Sequence, residues 1–356
     1  MENLNWYNGK KVILTGHTGF KGAWMSLLLL KLGAEVHGIS LKAECDSLYE
    51  NLDGIDSDLA TSFEFDLTIG SNELQEHISR IQPDCIIHMA AQSLVRRSYS
   101  NPTETFNANV IGTARLLEAV LDIKSIKWIL VVTTDKVYMN LELGLPFREN
   151  DKLSGFDPYS ASKVGTEMVS NAFREIASSK SAYRVGVARA GNVIGGGDRC
   201  EDRLIPDVVR SFSSGQKVQI RNPNSIRPWQ HVLDCVTGYL IYGIELATNS
   251  IYPKELNFGP MDSKVFSVKE VVHFLSERWP NCPGYSTQPF AAELDLKPES
   301  NQLLVDATLA WKSLKWKNQL DVEEALDWVI EWELDVDKPI ITRTRNQINK
   351  YLLELQ

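Results

Sequence analysis

The stretch from Lys10 to Gly33 constrains this chain more than any other. An apolar run, Lys11-Val12-Ile13-Leu14, breaks into Thr15-Gly16-His17-Thr18-Gly19-Phe20-Lys21-Gly22 and continues as Ala23-Trp24-Met25-Ser26-Leu27-Leu28-Leu29-Leu30-Lys31-Leu32-Gly33. That pattern reads as strand, glycine turn and helix, with Gly33 as the stop. Glycines at 16, 19 and 22 permit a tight turn, close approach of backbone to a pyrophosphate, and close helix-on-strand contact, while free N–H groups at the helix start face the anion. Three turn glycines alone also suit an ordinary strand-to-helix connection. Their context decides, because the motif follows a buried-type strand, opens a helix, and is succeeded by a second strand-like run, Glu35 to Ser40. The reading is a dinucleotide site, with Gly16, Thr18, Gly19, Phe20, Lys21 and Gly22 as its first contacts.

Strand-like and helix-like segments then alternate: Phe63 to Leu67, a helix from Asn72 to Ile81, Asp84 to Ala90, a long helix over 102–122, Trp128 to Thr133, a helix over 160–177, and Arg184 to Arg189. Such alternation predicts a doubly wound α/β fold, and its continuous apolar runs suit parallel strands covered on both faces. Ligands in these sheets sit beyond the strand C-termini, which singles out Ser40, Asp66, Ala90 to Gln92, Thr133 to Lys136 and Ala190 to Val193. After Gly195-Gly196-Gly197 the elements shorten, with a strand-like run from Lys217 to Arg221. A helix over 232–246 and a strand from Glu255 to Phe258 are expected to return to the sheet. The expected architecture is a Rossmann-type parallel sheet in residues 1–193, rejoined by 230–260, with a smaller interleaved substrate lobe from 194–229 and 261–356.

Composition excludes several classes. A net charge of -9 argues against a nucleic-acid groove or an anionic membrane surface, both of which need a basic face. Cys45, Cys85, Cys200, Cys235 and Cys282 are odd in number and scattered, which suits reduced core thiols in a cytoplasmic protein and neither a disulfide framework nor a metal site. No apolar run approaches the ~20 residues of a membrane span.

Tyr159-Ser160-Ala161-Ser162-Lys163 sets a phenol and an ammonium four residues apart, on one helix face. A neighbouring cation favours phenolate, so Tyr159 is expected to have a lowered pKa and to act as a base at a carbinol, with Lys163 also reaching a nicotinamide ribose. With the glycine turn, Asp66-Leu67, His88-Met89-Ala90-Ala91-Gln92, Asn109-Val110-Ile111-Gly112-Thr113 and Arg189-Ala190-Gly191-Asn192-Val193 in the same order, the chain resembles the extended short-chain dehydrogenase/reductases that act on nucleotide sugars. Within them, Thr133-Thr134-Asp135-Lys136-Val137-Tyr138 is similar to the 4,6-dehydratases, which carry Thr-Asp-Glu there, whereas epimerases carry a serine-rich segment without the acid. Elimination of water needs one proton taken from C5 and another given to the C6 hydroxyl, a task for paired titratable groups.

The resemblance implies a tightly held NAD, reoxidised within each turnover, and the Thr-Asp-Lys variant together with Thr-Gly-His-Thr-Gly-Phe-Lys-Gly implies CDP-D-glucose as substrate. It also implies Thr134, Asp135, Lys136, Tyr159 and Lys163 as catalytic residues, with Lys136 neutral to serve as base. Further cofactor contacts would come from Ser40, Asp66, Leu67, Ala90, Ala91, Gln92, Asn109, Thr133 and Ala190, although Ser40 stands where NAD-specific sites usually place an acid. Arg203, Arg221 and Arg227 are candidates for the diphosphate, with Ser93, Arg96, Asn192, Leu204, Ile205 and His231 near the rest of the substrate. Helices over 102–122 and 160–177 would pair subunits in a homodimer or homotetramer. A 4,6-dehydratase, a nucleotide-sugar epimerase and a non-catalytic NAD-binding regulator are the competing readings, and the intact Tyr159–Lys163 pair disfavours the last.

Overall fold

The structure is a computed structural model that describes residues 3–70, 72–180, 183–261, 264–287 and 300–355. Seven parallel strands form its centre: β1 (Lys11–Thr15), β2 (Glu35–Ser40), β3 (Thr61–Glu64), β4 (Cys85–His88), β5 (Trp128–Val132), β6 (Arg184–Ala190) and β7 (Glu255–Phe258), in the order β7-β6-β5-β4-β1-β2-β3. Thr15 lies opposite both Ile39 and His88, and His88 opposite Val131. The strands therefore end along one edge, where the chain leaves them for loops.

Alternation along each strand feeds two apolar layers. Val12 and Leu14 of β1 pack with Trp24 and Leu28 of helix α1 (Phe20–Lys31) and with Val236 and Leu240 of a later helix. Ile13 faces the other way, into Ile78 of α2 (Asn72–Ile81), Leu116 and Val185. Burial on both faces is why the central strands β1, β4 and β5 are almost continuously apolar, each such Leu or Ile contributing about 2 kcal/mol on transfer from water, whereas the edge strand β3 is half exposed.

The expected long helix after β4 is interrupted. It runs as Pro102–Phe106, a π-turn at Asn107–Ile111, and Gly112–Ala119, together called α3. α4 (Pro158–Ser179) opens with a capping box in which Asp157 accepts from the Ser160 N–H, and with Pro158 in the first turn. That cap places Tyr159 at the helix start, beside the strand ends. α5 (Leu204–Ser213) belongs to the looser C-terminal part, while α6 (Val232–Thr248) covers the sheet and leads to β7 beside β6.

Two expected strands differ. β3 spans Thr61–Glu64, earlier than Phe63 to Leu67, because Asp66 accepts a hydrogen bond from the Thr68 N–H at 2.8 Å and turns the chain. Only Val218–Gln219 of the run from Lys217 to Arg221 pairs, with Tyr285–Ser286. Among the described residues no helix is long and apolar enough to cross a membrane. Part of the expected substrate lobe, 288–299, lies outside the described residues.

Candidate active site

The three glycines of the first turn have different tasks. Gly16 has φ +73°, and a Cβ there would stand 2.7 Å from the Ala90 nitrogen. A Cβ on Gly22 would stand 2.1 Å from the Gly16 carbonyl oxygen. Protein backbone alone demands glycine at both. A Cβ on Gly19 would meet only the Gly16 oxygen, at 3.5 Å, so it would fill open space. Gly19 is also the N-cap of α1, without any side-chain cap, which leaves the first N–H groups of that helix for an anion. This cradle fits a pyrophosphate. Beside it the hydroxyls of Thr18 and Ser40 are 2.7 Å apart, and Thr18 donates to the Leu41 carbonyl at 3.1 Å. Phe20 and Leu67 are core side chains and offer a ligand only backbone.

His17 tucks beneath the turn, its ring where a Cβ on Gly38 would lie, and burial holds it down to about 4. At the end of β4 a buried chain of hydrogen bonds has one consistent direction. Thr15 Oγ1 accepts from the Met89 and Ala90 N–H groups, each at 3.1 Å, so its own proton goes to His88 Nδ1 at 2.7 Å. His88 Nε2 then donates to Thr113 Oγ1 at 2.9 Å, which donates to the Asn109 carbonyl at 2.6 Å. A neutral imidazole is required, and burial together with the Lys163 charge brings His88 down to about 3. Asn109 accepts from the Gln92 N–H at 2.8 Å and donates to the Gln92 carbonyl at 3.0 Å and to Ser162 Oγ at 2.8 Å. Its side-chain atoms position the Ala90–Gln92 backbone.

At the end of β5, Thr134 Oγ1 donates to Asp135 Oδ1 at 3.1 Å and is hydrogen-bonded to the Tyr159 phenol. Asp135 is buried, its Oδ2 has no partner, and burial raises its pKa to about 6 against the opposing charge of Lys136 and the Thr134 hydrogen bond. Its free oxygen faces Gly191, where a Cβ would come within 2.7 Å. Lys136 is half-buried beside it.

The expected depression of Tyr159 is overturned. Burial pushes the phenol up to about 12, with the Asp135 charge adding and the Thr134 hydrogen bond and Arg203 opposing. The lysine moves instead: burial, followed by the Lys21 charge, brings Lys163 down to about 7. Its Nζ donates to the Val132 carbonyl at 3.1 Å. Removal from water disfavours both charged forms, and its effect exceeds the mutual attraction expected from spacing.

Arg203 joins this group, pairing with Asp198 at 3.0 Å and donating to Ser93 at 3.2 Å. Arg96 and Arg221 both meet Asp202, at 3.2 and 3.5 Å, and Arg221 also meets Asp207 at 3.7 Å; Asp202, Asp207 and Arg221 line an open cleft of about 350 Å³. Arg227 lies close enough to oppose the raised pKa of Asp135. The Asn192 carbonyl accepts from the Gln230 N–H at 3.0 Å, Ala190 ends β6, and Leu204 with buried Ile205 opens α5. His231 does not face the substrate side. It is fully buried, its Nδ1 accepts from the Leu233 N–H at the start of α6, and its ring meets the Trp24 and Trp328 rings edge-on.

Sequence reasoning missed Glu167, Tyr138 and Ser162, which hold the reactive groups from behind. Glu167 was detectable, since it continues the Tyr159, Lys163 face at the next i+4 step.

The chain matches the model of the GDP-mannose 4,6 dehydratase family over residues 13–328. It is 40% identical over 342 residues to the CDP-glucose 4,6-dehydratase of Salmonella typhimurium, covering 93% of this chain and 92% of that protein. The dTDP-glucose 4,6-dehydratase of the same organism is 25% identical over 347 residues, 91% of this chain and 92% of that one. Among solved structures, the UDP-glucose 4-epimerase of Thermotoga maritima superposes with a TM-score of 0.76 at 21% identity, covering 92% of this chain and 100% of that one. Dehydratases and epimerases thus share this fold, and family membership rests on the sequence match: the chain belongs to the GDP-mannose 4,6-dehydratase family.

Proposed function

We propose that the protein is an NAD-dependent dehydratase that converts CDP-D-glucose to CDP-4-dehydro-6-deoxy-D-glucose and water, in cytoplasmic deoxysugar synthesis for a surface polysaccharide. The observation that carries this reading is the buried Asp135 carboxyl with a pKa of about 6 and one unpartnered oxygen, adjoining Lys136 and reached from Tyr159 through Thr134. A carboxyl raised to that level is partly protonated near neutrality and can donate a proton, which elimination needs and C4 epimerisation does not.

NAD fits the Gly19 cradle and the uncapped start of α1, and when bound it supplies the acceptor and later donor of the hydrogen that moves from C4 to C6. The chain does the rest. Tyr159 takes the C4 hydroxyl proton in its phenolate form, reached against the rise that burial imposes, with Thr134 orienting the phenol and Lys163 close by. The resulting ketone acidifies C5, so Lys136 removes that proton while Asp135 delivers one to the C6 hydroxyl, which leaves as water. Arg203, Arg221 and Arg96 would hold the diphosphate, displacing Asp202 from the last two. Phe106, Ile111, Met168 and Ile176 expose apolar side chains on α3 and α4, which supports pairing of two subunits through these helices.

The test is incubation with CDP-D-glucose in deuterated water without added reductant, followed by alkaline absorbance of a 4-keto product and analysis of deuterium at C5. Parallel dTDP-, GDP- and UDP-sugars rank the bases. A C4 epimer without C5 deuterium would refute the dehydratase.

A further inference from the structure

Behind the reactive residues lies a buried ion pair with no solvent-facing part. Glu167 on α4 and Arg189 on β6 are nearly fully buried, and Arg189 donates to both carboxylate oxygens, Nε to Oε1 at 2.8 Å and Nη2 to Oε2 at 2.5 Å. Removing charges from water is costly, and such a pair does little for stability compared with apolar residues of similar volume. Its other hydrogen bonds show where it acts. Glu167 Oε1 also accepts from Thr133 Oγ1 at 2.8 Å, and Arg189 Nη1 also donates to Tyr138 Oη at 2.9 Å and to the Glu149 carbonyl at 2.8 Å. Thr133 and Tyr138 bracket the turn that carries Thr134, Asp135 and Lys136. Tyr138 is fixed from the far side as well, donating to Asn257 Oδ1 on β7 at 2.6 Å, and Asn257 in turn donates to the Phe147 carbonyl at 2.9 Å.

We infer that the Glu167–Arg189 pair is a positioning device that grips the Thr133–Tyr138 turn at both ends and thereby sets Asp135 and Lys136 at the sugar. The inference rests on the dehydratase reading above. A bidentate, charge-assisted pair has one well-defined geometry, so its two outer hydrogen bonds span the turn with fixed length. Tyr159 and Lys163 do not hang on this clamp at the Tyr138 end: they are carried by α4, with Lys163 held by Val132 and the Tyr159 N–H by Ser98 at 3.1 Å. Loosening the turn at its Tyr138 end therefore acts chiefly on elimination, which uses Asp135 and Lys136, and little on oxidation at C4, which meets the turn only at Thr134, next to the end that Thr133 still holds.

The experiment uses substitutions that leave the ion pair's two direct bonds in place. Tyr138→Phe removes the outer bond at one end and Thr133→Val that at the other, with Thr133→Ser as the conservative rescue; thermal unfolding monitors the fold. In single turnovers with CDP-D-glucose in deuterated water, Tyr138→Phe is expected to form reduced cofactor at the wild-type rate and retain it, with C5 deuterium incorporation slowed ~10-fold or more and KM unchanged. Thr133→Val should slow C5 deuterium incorporation as well, and Thr133→Ser should restore it. Wild-type deuterium incorporation in Tyr138→Phe, or equal slowing of both half-reactions with a lowered melting temperature, overturns the positioning role. A wild-type protein that returns the C4 epimer without C5 exchange overturns the reading beneath it, and the proposal with it.

Discussion

Lys163 follows Tyr159 by four residues on one helix, yet its Nζ donates to the carbonyl of Val132 at 3.1 Å, at the end of the strand that delivers Asp135. The lysine is thus a joint between helix and strand. Its pKa of about 7 and that of about 12 for Tyr159 both report a site in which burial outweighs pairwise attraction.

In cofactor-free protein one lysine should therefore titrate near pH 7, charged below and neutral above. Isotopic reductive methylation followed by NMR, with Lys163→Met as the assignment control, reads this directly. A Lys163 signal that stays charged to pH 10 would contradict the dry site.

Tyr159→Phe is expected to lower turnover ~10²–10⁴-fold, since a positioned acid–base group commonly contributes that much. Reduced cofactor should fail to form in a single turnover, separating this variant from Tyr138→Phe. Wild-type oxidation at C4 would remove Tyr159 as the base.

The Asp135 carboxyl is held near 6 in the folded chain, above the ordinary 3.8. A raised carboxyl pKa means that folded protein binds more protons between those values, so stability is greater below 3.8 and is lost as pH rises through 6. Asp135→Asn relieves that cost. That rise corresponds to no more than ~3 kcal/mol, so the variant should melt a few degrees higher than wild type at pH 8, with the gain shrinking below pH 6, and dehydrate far more slowly. Equal melting temperatures at pH 8 would argue that the carboxyl is not buried in solution.

Gly19 and Gly22 should behave differently when substituted. Gly19→Val places its side chain in open space, so the protein should fold, lose co-purifying NAD, and melt where cofactor-stripped wild type melts. Gly22→Ala meets the Gly16 carbonyl oxygen at 2.1 Å and should lower the melting temperature itself. Chromatography of heat-released nucleotide, together with calorimetry, distinguishes the two; NADP as the released species would contradict the cofactor reading.

His231→Leu should cost stability by ~1–2 kcal/mol through loss of the α6 cap, with KM for the sugar nucleotide unchanged. A raised KM at constant melting temperature would return His231 to the substrate site.

Local chemistry wrote much of this protein in its sequence. The glycine turn was readable because close backbone at Gly16 and Gly22 and the anion cradle at Gly19 exclude side chains between a strand and a helix; the doubly wound sheet was readable because burial on both faces makes its central strands apolar; Tyr159 and Lys163 were readable because 3.6 residues per turn puts them on one face. Tertiary structure decided what those residues are. Whether Lys163 is a cation, whether Asp135 holds a proton, and whether His231 meets substrate or tryptophan all depend on desolvation, which sums over atoms from every neighbouring element and leaves no periodic mark along the chain. The same holds for Glu167 and Arg189: one on a helix and the other on a strand, they meet because α4 packs on β6, and only that packing shows that the Thr133–Tyr138 turn is gripped from both ends.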